Sequence, residues 1–365
     1  MANPLSANPF TFGARRALYG ASQLARIGYY TAHYMAGRHV IGPVTSPGNA
    51  PAPSRFGNYD QAALVSAFRK LFRDEWCRIE AGIYKVPHDL RRMPQLPELF
   101  SGSRQYMREA REVSARAHRR GHSEVMDEET RKKYPRYYLQ NFHFQSDGWL
   151  SEESAQVYDM QVETLFTGAA DAMRRQALPS IRDELVRLRA AGQPDSETVF
   201  LDLACGTGRL LSHVKDNFTE MPAVAIDLSP DYLAQARKTC RDWSGITYME
   251  GQAESIPLAD NSVDILTTVY LFHELPPKIR RLVAAEIARV LKPGGLYLHL
   301  DTIQYGDFEG VDVLLENFPR AFHEPYYDSY CSEDLDALFG SASLRADGKS
   351  QGFLTKSSGY RKGNS

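Results

Sequence analysis

The stretch VFLDLACGTGRLL (residues 199–211) decides how this chain is read. An apolar run enters a turn containing Gly206 and Gly208 and leaves it as the start of an amphipathic helix. Lacking a Cβ, the two glycines let the backbone turn tightly and come into contact with a ligand. In an open α/β sheet this turn lies beyond the carboxyl ends of the strands, where ligands bind. The next strand, AVAID, ends in Asp227, 21 residues after Gly206. A carboxylate there can accept both hydroxyls of a ribose. Ser229 and Asp231 are better placed to cap the following helix, which points Asp227 toward a nucleoside.

Working outward, short apolar strands alternate with amphipathic helices. Strands are expected at 198–203, 223–227, 246–250, 263–269 and 296–301, with helices at 208–217, 231–240 and 278–291. Such alternation needs crossover connections and predicts an α/β fold with a mainly parallel sheet, helices on both faces. Upstream, a helix is expected around 14–35, and GPVTSPGNAPAPS (42–54) reads as a connector. Ala63, Leu64, Ala67, Phe68, Leu71 and Phe72 recur at helical spacing and predict a helix of about 20 residues. Residues 103–131 are charged and helical in propensity. YYLQNFHFQSDGWLS (137–151) is aromatic and polar. It ends in Ser151, an N-cap with Glu152 and Glu153 in the first turn of a helical pattern running to about Arg189. Three regions result: a basic arm and Pro-rich connector (1–54), a helical extension or substrate cap (55–150), and an α/β domain (151–365).

The composition is globular, with 43% hydrophobic and 24% charged residues in 365. A net charge of −2 argues against a protein held on nucleic acid by a global positive field. No apolar run approaches the ~18 residues that span a bilayer. Four cysteines form no CxxC pair, and no secretory pattern is visible, so a reducing, cytoplasmic setting is expected. The neutral total hides a bias. Residues 1–59 hold no Asp or Glu but carry Arg15, Arg16, Arg26, Arg38 and Arg55. Four readings of this arm stand: an organellar targeting segment, a peripheral membrane contact, a protein contact, or an arm packed on the catalytic domain.

The glycine turn lacks the third glycine of GxGxxG, which disfavours a dinucleotide, and GxxxxGK[ST] is absent. DLACGTG (202–208), MEGQAESIPLADNSVDIL (249–266) and VLKPGGLYLHLD (290–301) together resemble the class I S-adenosylmethionine-dependent methyltransferases. The likeness is to the branch containing the ubiquinone/menaquinone-biosynthesis C-methyltransferases. The resemblance implies a Rossmann-like fold with a mainly parallel seven-stranded sheet, 344–348 and 352–359 pairing antiparallel at its far edge. It implies S-adenosylmethionine as cofactor and S-adenosylhomocysteine as product. Carried over residue by residue, Asp202, Ala204, Cys205, Gly206 and Gly208 face the methionine end of the cofactor. Asp227 and Leu228 take the ribose and adenine, while Gln252, Ala253 and Glu254 read the adenine edge. Val269, at the end of the fourth strand, completes the set. Gln252 stands where the family commonly has Asp.

Methyl transfer is an in-line displacement, so alignment and exclusion of water matter most, and a base is needed only where the acceptor must lose a proton. Tyr270, His273 and Asp301 are the catalytic candidates, placed beyond the fourth and fifth strands. His273 is read either as a base or donor, or as a cap on the following helix. His299, one pleat deeper, reads as core. Substrate candidates are Glu274, with His323, Tyr326 and Tyr327 after the fifth strand, and Tyr138, His143, Phe144 and Trp149 in a lid. Aromatic packing is the alternative reading for both groups. His118 and His122 share a helical spacing but lack a carboxylate, so no metal site is expected. The function expected is methyl transfer to a small-molecule or lipid-like acceptor, with C, N, O and S all open. The alternative is a non-catalytic S-adenosylmethionine- or nucleoside-binding regulatory module.

Overall fold

The computed structural model describes residues 9–41, 54–91, 96–119, 121 and 124–363. Nearly all of the Pro-rich connector, and His122, lie outside the described residues. The first half is helical: α1 (Pro9–Ile41), α2 (Gln61–Glu80), α3 (His88–Arg91), α4 (Leu96–Arg119), α5 (Thr130–Lys133), α6 (Glu152–Leu165), α7 (Ala170–Arg174) and α8 (Leu178–Ala190). α2 starts where Asp60 accepts the Ala63 amide, and α6 where Ser151 accepts that of Ser154.

Two helical expectations change. The 103–131 pattern stays helical only to Arg119; beyond it Asp127 accepts the amides of Glu129 and Thr130, a local side-chain turn that competes with helix. The 151–189 pattern is broken between α6 and α7. Thr167 and Gly168 take positive φ (49° and 86°), and the Gly168 carbonyl accepts from Arg26 of α1. The chain turns there because α1 lies against it: a Cβ on Gly168 would stand 3.3 Å from the Tyr30 ring.

The second half alternates β1 (Phe200–Leu203), α9 (Arg209–Asn217), β2 (Ala223–Asp227), α10 (Pro230–Thr239), β3 (Ile246–Glu250), β4 (Val263–Val269), α11 (Pro277–Val290) and β5 (Leu291–Thr302). It closes with α12 (Asp312–Phe322), α13 (Tyr327–Cys331), α14 (Leu335–Ser341), β6 (Leu344–Gly352) and β7 (Thr355–Lys362). One seven-stranded sheet has the order β3-β2-β1-β4-β5-β7-β6, parallel through β5, with β7 antiparallel to both neighbours. β5 begins earlier than the apolar alternation indicates, because Leu291 pairs with Val263 ahead of a register shift.

The period-2 pattern sorts the core into two faces. Phe200, Ile265, Leu296, Leu298 and Leu300 pack with Leu211 and Val214 of α9 and Ile181 and Leu185 of α8. Leu201, Leu203, Leu266 and Tyr297 pack with Val283 and Ile287 of α11 and Phe339 of α14. Both faces are covered, which is why β1 is buried at every residue.

The N-terminal helices are joined to this unit by buried charge. Arg26 of α1 pairs with Asp89 (2.7 Å), Glu163 (2.6 Å) and Asp171 (3.1 Å). Asp171 also takes Arg174 (2.8 Å) and Arg209, the residue that follows the glycine turn. Glu75 of α2 accepts from Tyr19 and Arg175, both at 2.5 Å. Arg55 reaches Asp328 at 2.9 Å on the surface. Two of the five arginines in the acid-free arm therefore pair with carboxylates elsewhere in the fold.

Candidate active site

The carboxyl ends of β1, β2 and β4 open onto a cleft lined by Ala204, Gly206, Asp227, Leu228, Gly251, Ala253, Val269, Tyr270, Leu271, Glu274 and Leu275. Its far wall is aromatic: Tyr137, Tyr138, Phe142, Trp149, Tyr158 and Tyr232. The two glycines of the opening motif have different jobs. At Gly206 (φ 53°) a Cβ would meet nothing within 4 Å, so the backbone lies open to a ligand. At Gly208 (φ 75°) a Cβ would stand 3.1 Å from the Ala236 side chain, so the missing atom lets α10 approach.

Asp227 accepts the Gly206 amide (2.8 Å) and the Ser229 amide (2.9 Å), which aims its carboxylate at the cleft. Burial pushes its pKa up to about 6 against those hydrogen bonds, so it is ionised at neutral pH. Asp202 sits behind it, buried, accepting from Thr267 (2.9 Å), and burial lifts it to about 7. Asp202 thus orders the sheet under the turn and does not line the cleft.

His273 and Asp301 form a buried pair at 2.6 Å beneath the cleft wall. Burial opposes charge on the ring, but Asp301 outweighs it and His273 is raised to about 9. That direction favours the protonated ring, which suits His273 to donate rather than to act as a base. Asp301 also accepts the amides of Phe272 and Thr302, which locks the loop after β4 to the end of β5. His299 is buried and lowered to about 4 by burial, its ring between Tyr297 and Tyr330.

The lid segment is docked. Ser229 donates to the Trp149 carbonyl (2.7 Å), and Trp149 packs edge-on to Tyr158 and Tyr232 with centroids 5.4 and 5.6 Å away. Thr207 of the glycine turn donates to Asp159 of α6 at 2.7 Å. Of the residues singled out from the sequence, Ala204, Gly206, Asp227, Leu228, Ala253, Val269, Tyr270, Glu274, Tyr138 and Trp149 line the cleft. Cys205 is buried, Gln252 pairs in a local bridge with Ser255, and Glu254 accepts from Tyr137 (2.7 Å). Phe144 packs on the His323 ring, and His323 meets Gln140 (3.1 Å), which donates to Tyr326 (3.1 Å). Tyr327 is core, against Phe318 and His273. Tyr137, Tyr232, Leu271 and Leu275 were not singled out, for their residue types alone do not separate cleft wall from packing. Only Tyr232 follows a readable rule, one turn into the helix after the ribose acid.

Strand order, glycine turn and strand-end acid together define the class I S-adenosylmethionine-dependent methyltransferase fold. Residues 200–295 match the family model described as a methyltransferase domain, so the chain carries such a domain. The chain is 35% identical over 112 residues to a ubiquinone/menaquinone biosynthesis C-methyltransferase of Desulfotalea psychrophila, covering 31% of this chain and 44% of that one. It is 32% identical over 103 residues to a malonyl-[acyl-carrier protein] O-methyltransferase of Xylella fastidiosa, covering 27% and 33%. Among solved structures it resembles a SAM-dependent methyltransferase from Aquifex aeolicus, at 19% identity and TM-score 0.37, over 52% of this chain and 96% of that one. The chain spans 33% to 59% of the length of the curated relatives it matches.

Proposed function

We propose that this chain transfers a methyl group from S-adenosylmethionine to a small-molecule or lipid-like acceptor seated under the aromatic wall. The observation that carries the reading is the Asp227 carboxylate, fixed by two backbone amides beside a glycine whose Cβ direction is open. These residues suit the cofactor: Asp227 for the ribose hydroxyls, Gly206 for close backbone approach, Leu228 and Ala253 for the flat base. When bound, S-adenosylmethionine would supply an electrophilic methyl on a sulfonium, with the thioether of S-adenosylhomocysteine as the leaving group.

The chain's own contribution is alignment. Tyr138, Trp149, Tyr158 and Tyr232 line the cleft with aromatic surface that keeps water from the reacting atoms. Tyr270, whose hydroxyl is tied to Thr355 at 2.6 Å, walls the acceptor side. His273, held charged by Asp301, is a positioning residue behind that wall. The names of the relatives include both C- and O-methyltransferases, and C, N, O and S acceptors all stay open here. Among the described residues, no helix is long and apolar enough to cross a membrane.

Calorimetric titration with S-adenosylmethionine tests the reading directly. Asp227→Ala is expected to weaken binding by about 1.5–3 kcal/mol, the scale for a hydrogen bond to a charged group. Unchanged affinity would sink the ribose role. Cofactor binding without release of S-adenosylhomocysteine across a panel of C, N, O and S acceptors would favour the non-catalytic binding module.

A further inference from the structure

Three side chains from separate loops converge beside the cleft, which Glu274 alone of the three lines. His143 comes from the lid, Glu274 from the loop after β4, and Glu324 from the turn after α12. One ligand atom of each lies within 4.8 Å of the others. Glu324 is 1% exposed, and neither of its carboxylate oxygens has a hydrogen-bond partner of acceptable geometry. His143 Nε2 stands 2.5 Å from Glu324 Oε1, close enough for an ion pair but misaligned for a hydrogen bond; Oε2 meets no donor. A buried carboxylate left this way is costly unless a cation completes it, either a protonated His143 ring at Oε1 or a bound ion that also reaches Oε2. The buried guanidinium of Arg280 does not, since it donates to the Phe272 and Tyr326 carbonyls, Ser329 and Glu333.

We propose that His143, Glu274 and Glu324 bind a first-row divalent cation at the acceptor end of the cleft. One imidazole nitrogen and two carboxylates form a mixed N/O set of the kind that Mn²⁺ and Zn²⁺ accept, with bonds of about 2.0–2.2 Å. The loop that carries His143 is already held: Asn141 donates to the carbonyls of Gln145 (2.8 Å) and Ser146 (3.0 Å), and buried Arg116 to that of Phe144 (2.7 Å). Three protein ligands leave coordination positions open toward the cleft that Glu274 lines. An acceptor oxygen bound there would be oriented by the ion. This role rests on the methyl-transfer reading; the site itself does not.

The test uses the full chain, stripped with chelator and titrated with Mn²⁺ while the free-ion paramagnetic resonance signal is followed, and with Zn²⁺ by calorimetry. One ion per chain is expected. Glu324→Gln, nearly the same in shape, should weaken binding by about 100-fold or more, given that loss of a merely supporting group costs 10–100-fold. Unchanged S-adenosylmethionine affinity and melting temperature in that variant show that its fold is intact, and His143→Ala should reproduce the loss. Failure of the wild type to bind either ion would overturn the site, as would equal binding by wild type and Glu324→Gln. So would an organic ammonium such as tetramethylammonium occupying it while neither metal does. Metal binding without cofactor binding would leave the site standing and remove the methyl-transfer reading, so the two ideas fail separately.

Discussion

The helical layer formed by α1–α3, α6 and α7 and the sheet that follows it bury polar groups in different ways. In the sheet the buried titratable groups at the carboxyl ends of β1 and β5 stand in small local sets: Asp202 with Thr267 of the neighbouring strand, His299 with Tyr297 and Tyr330, Asp301 with His273 of the loop after β4. The strands themselves are aligned by ladder hydrogen bonds and two apolar faces. In the helical layer, Arg26, Asp89, Glu163, Asp171, Arg174, Arg175 and Glu75 form one connected ionic cluster, which extends to Arg209 at the start of α9. Helices carry no ladder between them, so their mutual placement depends on side chains. A charge cluster specifies one arrangement at the expense of desolvation, and it is unforgiving when a partner is lost.

Removing the hub of the cluster is the strongest way to break this contrast. Asp171→Ala takes the nearest carboxylate from Arg174 and Arg209 and one of three from Arg26, and should destabilise the chain by about 3–5 kcal/mol in chemical denaturation. A change below about 1 kcal/mol would show that the helical layer does not depend on its ion pairs. Because Arg209 adjoins the glycine turn, the same variant should also weaken cofactor binding.

Loss of a single cap is smaller. Ser151→Ala removes the acceptor at the start of α6, at a cost of about 1 kcal/mol. α6 carries Tyr158 and Asp159, so its fraying should be visible as faster amide exchange there than in the strands.

The subtlest difference is in pH. Asp202, facing Thr267 and Asp227, has a folded pKa raised to about 7 from 3.8. The folded state therefore binds this proton first, and stability from this group rises as pH falls from about 7 to about 4. His88, facing His213, Asp89, Arg209 and Asp216, has a folded pKa lowered from 6.5 to about 4. Its contribution is present above pH 6.5 and lost as pH falls toward 4. Asp202→Asn should remove the first component and His88→Gln the second, read as melting temperature across pH 4–8. Parallel profiles for the two variants would contradict the opposite signs.

The legible part of the molecule coincides with this division. Phe200–Leu203, Ala223–Asp227, Ile246–Glu250 and Val263–Val269 stand within two residues of where the apolar runs place them. A strand covered on both faces must be apolar throughout, and its partners are set by short crossovers. Asp227 was legible for the same reason, since a carboxylate closing an apolar strand has few structural explanations. Glu324 was not. Its place beside His143 and Glu274 depends on loops whose composition is ordinary. Nor does residue type tell Tyr232 in the cleft wall from Tyr327 in the core, for burying a ring and presenting it use the same chemistry.

What the sequence by itself determined is the parallel sheet, the glycine turn and the acid at the end of β2. All three follow from local periodicity and from the conformational freedom of glycine. Only the tertiary structure decided what the acid-free N-terminal segment does with Arg26 and which aromatics face the cleft. The meeting of His143, Glu274 and Glu324 was decided there too. Those outcomes depend on contacts between residues more than a hundred positions apart, such as Arg26 with Asp171, and no local pattern encodes such distances.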